Sequence, residues 1–132
     1  MSDPLMIAPE VAKVLRGRRT IGAYLPEAPP TAVIDAALEL ATWAPNHRKT
    51  EPWRFYRLGP QTKAALCDLS GKLVAEKKGS EAGEAKRRQW SSIPGWLAVT
   101  CRRSTDALLQ EEDYAACCCA IQNLKRMHHS TM

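Results

Sequence analysis

The sequence predicts a single domain that mixes helices with a few strands. Three stretches carry apolar residues at the three- and four-residue spacing of an amphipathic helix, and a fourth is a run of small residues suited to close helix packing. Two further stretches are rich in aromatic or aliphatic residues and adjoin Gly-Pro or Pro-Gly pairs, which is typical of strands. The length of 132 residues suits one domain with a modest core, so we expect one domain over residues 1–132.

Composition narrows the function classes. The hydrophobic share of 45% and the charged share of 25% are ordinary for a globular protein and argue against disorder. The net charge of +5, from 19 basic and 14 acidic residues, favours anionic partners such as a phosphorylated cofactor. We expect no nucleic-acid partner, because strand and helix patterning explains the tryptophans as core. The sequence has no run of about 20 apolar residues and no evident secretory signal, so we expect a cytoplasmic protein with no membrane partner.

The first predicted helix runs over Pro9 to Gly17, with proline in the first turn and glycine at the C-terminal cap. The segment Arg18-Arg19-Thr20 follows directly. Two guanidinium groups and a hydroxyl can hold a phosphate, because arginine offers a planar fork of charge-assisted donors. The alternative is a solvated basic helix end, which the helix dipole also favours.

The second predicted helix reaches from Thr31 to about Trp43, after a proline-rich stretch over Ile21 to Pro30 that we expect to be extended. The residues that should face inward recur at helical spacing. They are Val33, Ile34, Ala37, Leu38 and Ala41.

The stretch from Trp43 to Phe55, WAPNHRKTEPWRF, is the strongest candidate for a binding loop. Pro45 and Pro52 frame its polar residues, and proline disfavours helical backbone at the residue before it. We therefore expect Ala44 and Glu51 to be extended. A loop pinned between two structured elements often carries binding chemistry, although an ordinary helix-to-strand connection would look the same.

The remaining elements follow in order. The predicted strands are Trp53 to Leu58 and Ile93 to Cys101, and the predicted helices are Gln61 to Lys77 and Leu108 to Leu124. The third helix should place Ala65, Leu66, Leu69, Leu73 and Val74 inward, with Gly71 as a weak point. The polar stretch from Lys77 to Gln89 should be exposed helix or loop, with Lys86, Arg87 and Arg88 on a solvated face.

The sequence shows no self-contained catalytic apparatus. It contains no Walker loop, dinucleotide-binding fingerprint, zinc-helix motif or nucleophile elbow. Cys117, Cys118 and Cys119 are consecutive, and adjacent helical residues point about 100° apart, so they cannot converge on one metal ion. We expect them at packed helix positions, since reduced cysteine behaves as a small hydrophobe. His47 stands alone, and His128 and His129 lie near the chain end, so no metal site is expected. Chemistry would then come from a bound cofactor.

Four segments together resemble the nitroreductase family. They are Arg18-Arg19-Thr20 after a short helix, the downstream YLPEAPP, the helix end ATWAPNHRKTEPWRF, and AACCCAIQNL. They occur in the family's order and spacing from about Val11 to Leu124. This covers nearly all of the chain but only the N-terminal part of a typical family member.

The resemblance implies an α+β fold, with a sheet flanked by helices, in an intertwined homodimer. Such proteins bind FMN at the dimer interface and pass a hydride from NADH or NADPH through the flavin to nitroaromatics, quinones or similar small-molecule acceptors. By position, Arg18 and Thr20 would hold the FMN phosphate, and Arg19 would add side-chain or backbone contacts. Pro45, Asn46 and His47 match the segment that reaches the partner's flavin. No residue matches a dedicated catalytic acid or base.

The sequence also departs from the family pattern. Gly22 stands where many members have a basic or polar residue, and Trp43 replaces a position that is sometimes cationic. Members continue past the AACCCAIQNL helix into further central strands and a basic segment. We therefore expect an incomplete sheet in a truncated family member. The alternative to an active oxidoreductase is a catalytically inactive fragment or an interaction protein.

Overall fold

The computed structural model describes the backbone of residues 8–126 and the side chains of residues 8–125. The chain forms two compact units. Within the described residues, the first unit comprises 8–22, 31–53 and 101–126, and the second comprises 23–30 and 54–100.

Five helices and two strands make up the described chain. In order they are α1 (Pro9–Gly17), α2 (Thr31–Ala41), β1 (Trp53–Arg57), α3 (Pro60–Lys78), α4 (Ser80–Ser91), β2 (Leu97–Cys101) and α5 (Ala107–Arg126). This helix-rich arrangement with a small sheet confirms the predicted α+β class. The bounds of α1 agree with the prediction, and the other predicted elements are present with shifted ends. None of the described helices is long and apolar enough to cross a membrane.

The first unit is built on the packing of α2 against α5. Its buried positions are mostly small: Ala37 and Ala41 in α2, and Ala116, Cys117 and Ala120 in α5. Small side chains let two helix backbones approach closely, because few atoms separate them. The prediction that Val33 faces inward is wrong, since it is 44% exposed, while Ile34 and Leu38 are half-buried.

The second unit contains a hairpin of α3 and α4. Gly71 in α3 is buried, and a Cβ atom there would lie 3.1 Å from the Gly83 carbonyl oxygen and from the Arg87 Cβ. Gly71 is therefore a close-packing position rather than the weak point that helix propensity suggested. The predicted inward positions Ala65, Leu69 and Leu73 are wrong, because all three are exposed, Leu69 and Leu73 at 52% and 49%.

The basic residues of α4 do more than cover a solvated face. The ammonium group of Lys86 lies 4.9 Å from the ring centroid of Trp90, as a cation–π contact. Arg87 donates two hydrogen bonds to the Glu84 carboxylate, at 2.9 and 2.7 Å. Arg88 is exposed, with its Nη1 atom 3.7 Å from the same carboxylate. The predicted solvated face holds for Arg88, and Lys86 and Arg87 combine partial exposure with these contacts.

Strands β1 and β2 pair in an antiparallel sheet of two strands. Their direction follows from two bonds beyond the strand ends: the Leu58 amide donates to the Trp96 carbonyl at 3.0 Å, and the Arg102 amide donates to the Pro52 carbonyl at 2.8 Å. The predicted second strand began at Ile93, but β2 begins at Leu97. The Ile93 amide bonds back to the Trp90 carbonyl and so belongs to the turn that ends α4.

The three consecutive cysteines of α5 have different surroundings. Cys117 is buried, as predicted, but Cys118 and Cys119 are exposed. Successive helical positions point about 100° apart, so only one of the three can face α2. The prediction of packed positions is wrong for Cys118 and Cys119.

Candidate functional site

The first candidate site residues lie where α1 ends. Helix α1 stops at Gly17, and Arg18 has extended backbone, with φ −62° and ψ 128°. The Arg18 Nη1 atom donates a weak hydrogen bond to the Thr20 hydroxyl at 3.4 Å. Arg18 is half-buried and Thr20 is exposed, so a guanidinium and a hydroxyl stand together at an accessible position. This places Arg18 and Thr20 together, as the phosphate hypothesis requires.

Arg19 is partly occupied with the helix end. Its Nη1 atom donates to the carbonyl oxygens of Arg16 and Arg18, at 2.7 and 2.8 Å. The last carbonyl groups of a helix lack intrahelical donors, and an arginine side chain can satisfy them. The Arg19 side chain therefore caps the C-terminal end of α1 and stabilises the backbone at Arg18, where the chain leaves the helix.

The second set of candidate residues occupies the loop between α2 and β1. Lys49 and Glu51 both have positive φ, at 49° and 45°. The left-handed region costs a non-glycine residue roughly 1–2 kcal/mol, so this loop needs compensating contacts. The prediction that Glu51 is extended is wrong. The preference imposed by Pro52 is overridden by hydrogen bonds within the loop.

Asn46 supplies those bonds. Its Oδ1 atom accepts from the Glu51 backbone amide at 2.8 Å, and its Nδ2 atom donates to the Thr50 hydroxyl at 3.2 Å. The Lys49 amide also donates to the Asn46 carbonyl at 3.1 Å. One half-buried side chain thus ties the start of the loop to its end. Pro45, by contrast, is exposed.

Helix α5 contacts the loop through the buried residue Asp113. The Thr50 hydroxyl donates to the Asp113 Oδ1 atom at 2.5 Å. Asp113 is 1% exposed, and among the described residues its Oδ2 atom has no hydrogen-bond partner. A buried carboxylate with so few donors is costly, so the Thr50 bond contributes to the stability of both elements.

Glu112, the preceding residue, holds the outer side of the same loop. Its Oε1 atom lies 3.0 Å from the His47 Nδ1 atom, and its Oε2 atom lies 3.3 Å from the Arg48 Nε atom. The Arg48 contact is an ion pair without hydrogen-bond geometry, because Oε2 has no hydrogen-bond partner in the described part of the chain. His47 is 74% exposed at its side chain, so it stays accessible while Glu112 orients it.

Glu112 and Asp113 were missed by the sequence reasoning. The signal was present as an acidic run, Glu111-Glu112-Asp113, in a helix that continues with a run of small residues over 115–120. A buried carboxylate in such a helix needs a partner from another element. The sequence does not reveal that this partner is Thr50.

The donor set fits a phosphorylated cofactor. Arg18 and Thr20 offer charge-assisted and hydroxyl donors of the kind that bind a phosphate, in an exposed position. The loop between α2 and β1 adds the side-chain amide of Asn46 and the imidazole of His47. These groups can orient a flat polar ligand but cannot carry out redox chemistry. Within residues 8–126, no group of three or more His, Cys, Asp or Glu side chains could hold a metal ion.

The chain is similar to known proteins of one family. A model of the nitroreductase family matches residues 15–126. The chain is 34% identical over 116 residues to a putative NAD(P)H nitroreductase from Bacillus subtilis, covering 85% of this chain and 60% of that protein. The match thus spans only 60% of the length of that relative. A 4-nitrobenzoate reductase from Nocardioides is 34% identical over 71 residues, covering 52% of this chain and 29% of that enzyme.

Solved structures give the same result at the level of fold. A nitroreductase-like protein from Bacillus cereus superposes with a TM-score of 0.76 at 26% identity, covering 93% of this chain and 66% of that one. A nitroreductase with bound FMN from Bacteroides fragilis superposes with a TM-score of 0.65 at 20% identity, covering 91% and 64%. The family match extends over both candidate segments and most of the chain, and this chain therefore belongs to the nitroreductase family.

Proposed function

We propose that this chain is an FMN-dependent oxidoreductase that uses NADH or NADPH to reduce nitroaromatic, quinone or similar acceptors in the cytoplasm. The observation that carries the proposal is the family match over residues 15–126, which includes both candidate segments. It is supported by the names of the relatives, an NAD(P)H nitroreductase and a 4-nitrobenzoate reductase. The B. fragilis structure, which shares the fold, holds FMN.

In this proposal Arg18 and Thr20 bind the FMN phosphate. Arg18 offers a guanidinium that remains charged at any physiological pH, and Thr20 offers a neighbouring hydroxyl. The bond between them, at 3.4 Å, is weak enough to be exchanged for bonds to a phosphate. Arg19 contributes by holding the end of α1, where its side chain caps two carbonyl groups.

Pro45, Asn46 and His47 would approach the flavin of a second copy of this chain. A homodimer is supported by the apolar face of α1, where Val11, Val14 and Leu15 are 52%, 42% and 56% exposed. Exposed apolar side chains clustered on one helix mark a surface that another protein covers. The site would then be shared, with the phosphate held by one protomer and the loop provided by its partner.

The flavin, when bound, would accept the hydride from the nicotinamide and deliver it to the acceptor. The protein's contribution is to bind and orient. Arg18 would neutralise phosphate charge, and the Asn46 amide, which its loop contacts fix, and the exposed His47 ring would help to orient the flavin. No described side chain is assigned as an acid or base.

The binding proposal is tested by adding FMN to the purified chain and following flavin fluorescence and visible absorption. We expect saturable binding that Arg18→Ala weakens by about tenfold or more, since a charged hydrogen bond contributes roughly 1.5–3 kcal/mol. Lys13→Ala is the matched control, because it removes one positive charge from the same helix at an exposed position. An equal loss of FMN affinity in both variants would show that net charge, rather than a specific contact of Arg18, causes the effect. Absence of FMN binding by the wild-type chain would overturn the proposal.

The activity proposal is tested with NADH, NADPH and a nitroaromatic acceptor. We expect nicotinamide oxidation that depends on FMN and on the acceptor, from a species with twice the mass of the chain. FMN binding without nicotinamide oxidation would favour an inactive flavin-binding protein over an oxidoreductase.

A further inference from the structure

We propose that Thr50 and Asp113 are positioning residues that fix the orientation of the Asn46 amide and so the conformation of residues 45–51. The inference deepens the proposed function, on which its flavin-related part rests. Its structural part concerns only contacts within the first unit of the chain. Neither residue is among the candidate cofactor-binding residues.

The loop cannot hold its own conformation by backbone preference. Lys49 and Glu51 both have positive φ, and no glycine lies between Pro45 and Pro52 to relieve the strain. Hydrogen bonds must therefore maintain it, and one of them is the backbone bond from the Lys49 amide to the Asn46 carbonyl. The contacts that do so are those of Asn46, which bonds to the backbone amide of Glu51 and to the hydroxyl of Thr50.

The direction of hydrogen bonding in this chain of contacts can be followed from Glu51 to Asp113. The backbone N–H of Glu51 can only donate, so the amide oxygen of Asn46 faces it and the NH₂ group of Asn46 faces Thr50. The Thr50 oxygen accepts from that NH₂ group, and its single hydroxyl proton goes to the Asp113 Oδ1 atom. The three bonds form together only when Asp113 accepts from Thr50 and Asn46 has this orientation.

The opposite orientation would fail. If Asn46 were flipped, its oxygen would face the Thr50 oxygen, whose proton is already given to Asp113, and its NH₂ would face the Glu51 N–H. Both contacts would then be repulsive. Because Asp113 is 1% exposed, water does not compete for its bond to Thr50. By accepting the Thr50 proton, the Asp113 carboxyl on α5 leaves the Thr50 oxygen free to accept from Asn46 and so supports this amide orientation at the candidate flavin loop.

Glu112 adds a second connection from the same helix. It contacts His47 and Arg48 from the solvent side, while Asp113 holds Thr50 from the buried side. Two consecutive residues of α5 therefore hold both faces of the loop. The exposed contacts are worth little alone, so the Asp113–Thr50 bond should dominate.

The experiment compares Thr50→Val with Thr50→Ser in the full chain. Valine keeps the shape of threonine but lacks the hydroxyl, whereas serine keeps the hydroxyl. The readout is limited trypsin digestion, because Arg48 and Lys49 lie within the loop, followed by mass spectrometry of the fragments. We expect cleavage after these two residues to rise about tenfold or more in Thr50→Val and to return to near the wild-type rate in Thr50→Ser, since leaving a buried polar group without its hydrogen bond shifts a local equilibrium by about that factor.

A second variant tests whether faster cleavage of Thr50→Val reflects opening of the loop rather than general unfolding of the protein. Asn46→Ala removes the bonds to the Glu51 amide and to the Thr50 hydroxyl, while Thr50 can still donate to Asp113. It should also accelerate cleavage in the loop, with an unfolding temperature close to that of the wild type. Equal cleavage in all variants, or acceleration at every site in proportion to lost stability, would overturn the inference.

The flavin arm separates this inference from the proposed function. If the wild type binds FMN, Thr50→Val should weaken the affinity and alter the visible spectrum of the bound flavin, and Thr50→Ser should restore both. Unchanged affinity and spectrum in Thr50→Val would overturn the positioning role. If the wild type binds no FMN, the proposed function fails, while the trypsin comparison still decides whether Asp113 and Thr50 hold the loop.

Discussion

Gly83 of α4 faces Ala75 of α3 so closely that a Cβ atom on Gly83 would lie 2.6 Å from the Ala75 Cβ and 2.6 Å from the Gly71 carbonyl oxygen. Non-bonded carbon atoms are optimally separated by about 3.5–4.0 Å. The two helices can therefore pack at this distance only because residue 83 has no side chain.

Gly83→Ala should consequently destabilise the protein. Helix propensity alone favours alanine by about 1 kcal/mol, but the overlap involves backbone on the facing helix and should produce a net loss of about 1–3 kcal/mol. Chemical denaturation measures the difference. Gly17→Ala is the control, since nothing lies within 4 Å of its Cβ position. A Gly83→Ala protein as stable as Gly17→Ala would contradict the packing described for α3 and α4.

Gly79, between α3 and α4, should not tolerate alanine either, but for a different reason. Its φ of 91° and ψ of 162° lie in a region that is essentially restricted to glycine. No atom lies within 4 Å of its Cβ position, so the cost is conformational strain of about 1–3 kcal/mol rather than overlap. Gly59→Ala, at a negative φ of −70° and with equally open space, is the matched control in the same denaturation experiment. Similar losses at both positions would refute the explanation.

The pair Glu84 and Arg87 should show a measurable pH dependence. The hydrogen bonds from Arg87 lower the pKa of Glu84 from its ordinary 4.5, with smaller charge contributions from Arg87 and Arg88 and an opposing effect of burial. A lowered pKa in the folded state means that the pair stabilises the fold above pH 4.5. That contribution is lost as the pH falls through the lowered pKa.

NMR titration of the Glu84 side-chain carboxyl carbon would test this expectation. Arg87→Met should raise the pKa of Glu84 back toward 4.5, and Arg88→Met should raise it much less, because Arg88 is only a weak contributor. Equal shifts in the two variants would show that net charge, rather than the hydrogen bonds, lowers the pKa.

Cys117 should be the least reactive of the three consecutive thiols. Burial, followed by a hydrogen bond with Cys101, raises the pKa of Cys117 to about 12. At pH 8 only about one thiol in ten thousand would then be the reactive thiolate. Alkylation followed by peptide mass spectrometry should modify Cys118 before Cys117, and denaturant should abolish the difference. Equal rates in the folded protein would contradict the buried position of Cys117.

Glu112→Gln should have a smaller effect on stability than the loss of the Thr50 hydroxyl. Its partners are largely solvated, with His47 and Arg48 74% and 46% exposed at their side chains. Exposed ion pairs contribute about 0–1 kcal/mol, and salt weakens them. Denaturation of Glu112→Gln and of the wild type at low and high salt should therefore give a small difference that shrinks with salt. A loss larger than that of Thr50→Val would place the main anchor of the loop at Glu112.

Much of the local structure was predictable from the sequence. The bounds of α1 agree because proline at its start and glycine at its end are local signals. The existence of α2, α3 and α5 followed from composition and spacing in the same way. The positions of Arg18, Thr20, Asn46 and His47 in two connecting segments also followed from sequence, because proline and helix-end signals mark where the chain leaves regular structure.

The contacts that shape the candidate site were decided by tertiary structure. Glu51 takes a positive φ, against the local preference before Pro52, because its backbone amide donates to the Asn46 side chain. The neighbouring Thr50 hydroxyl donates to Asp113, which lies on a helix 63 residues further along the sequence. Burial in α3 falls on Cys67 and Gly71 rather than on Leu69, because α4 approaches closely at Gly71, where a large side chain would not fit. Sequence pattern determined which segments form helices and loops, since those signals are local. Only the packing of distant segments decided which side chain meets which, because hydrogen-bond geometry and excluded volume depend on partners that the local sequence does not specify.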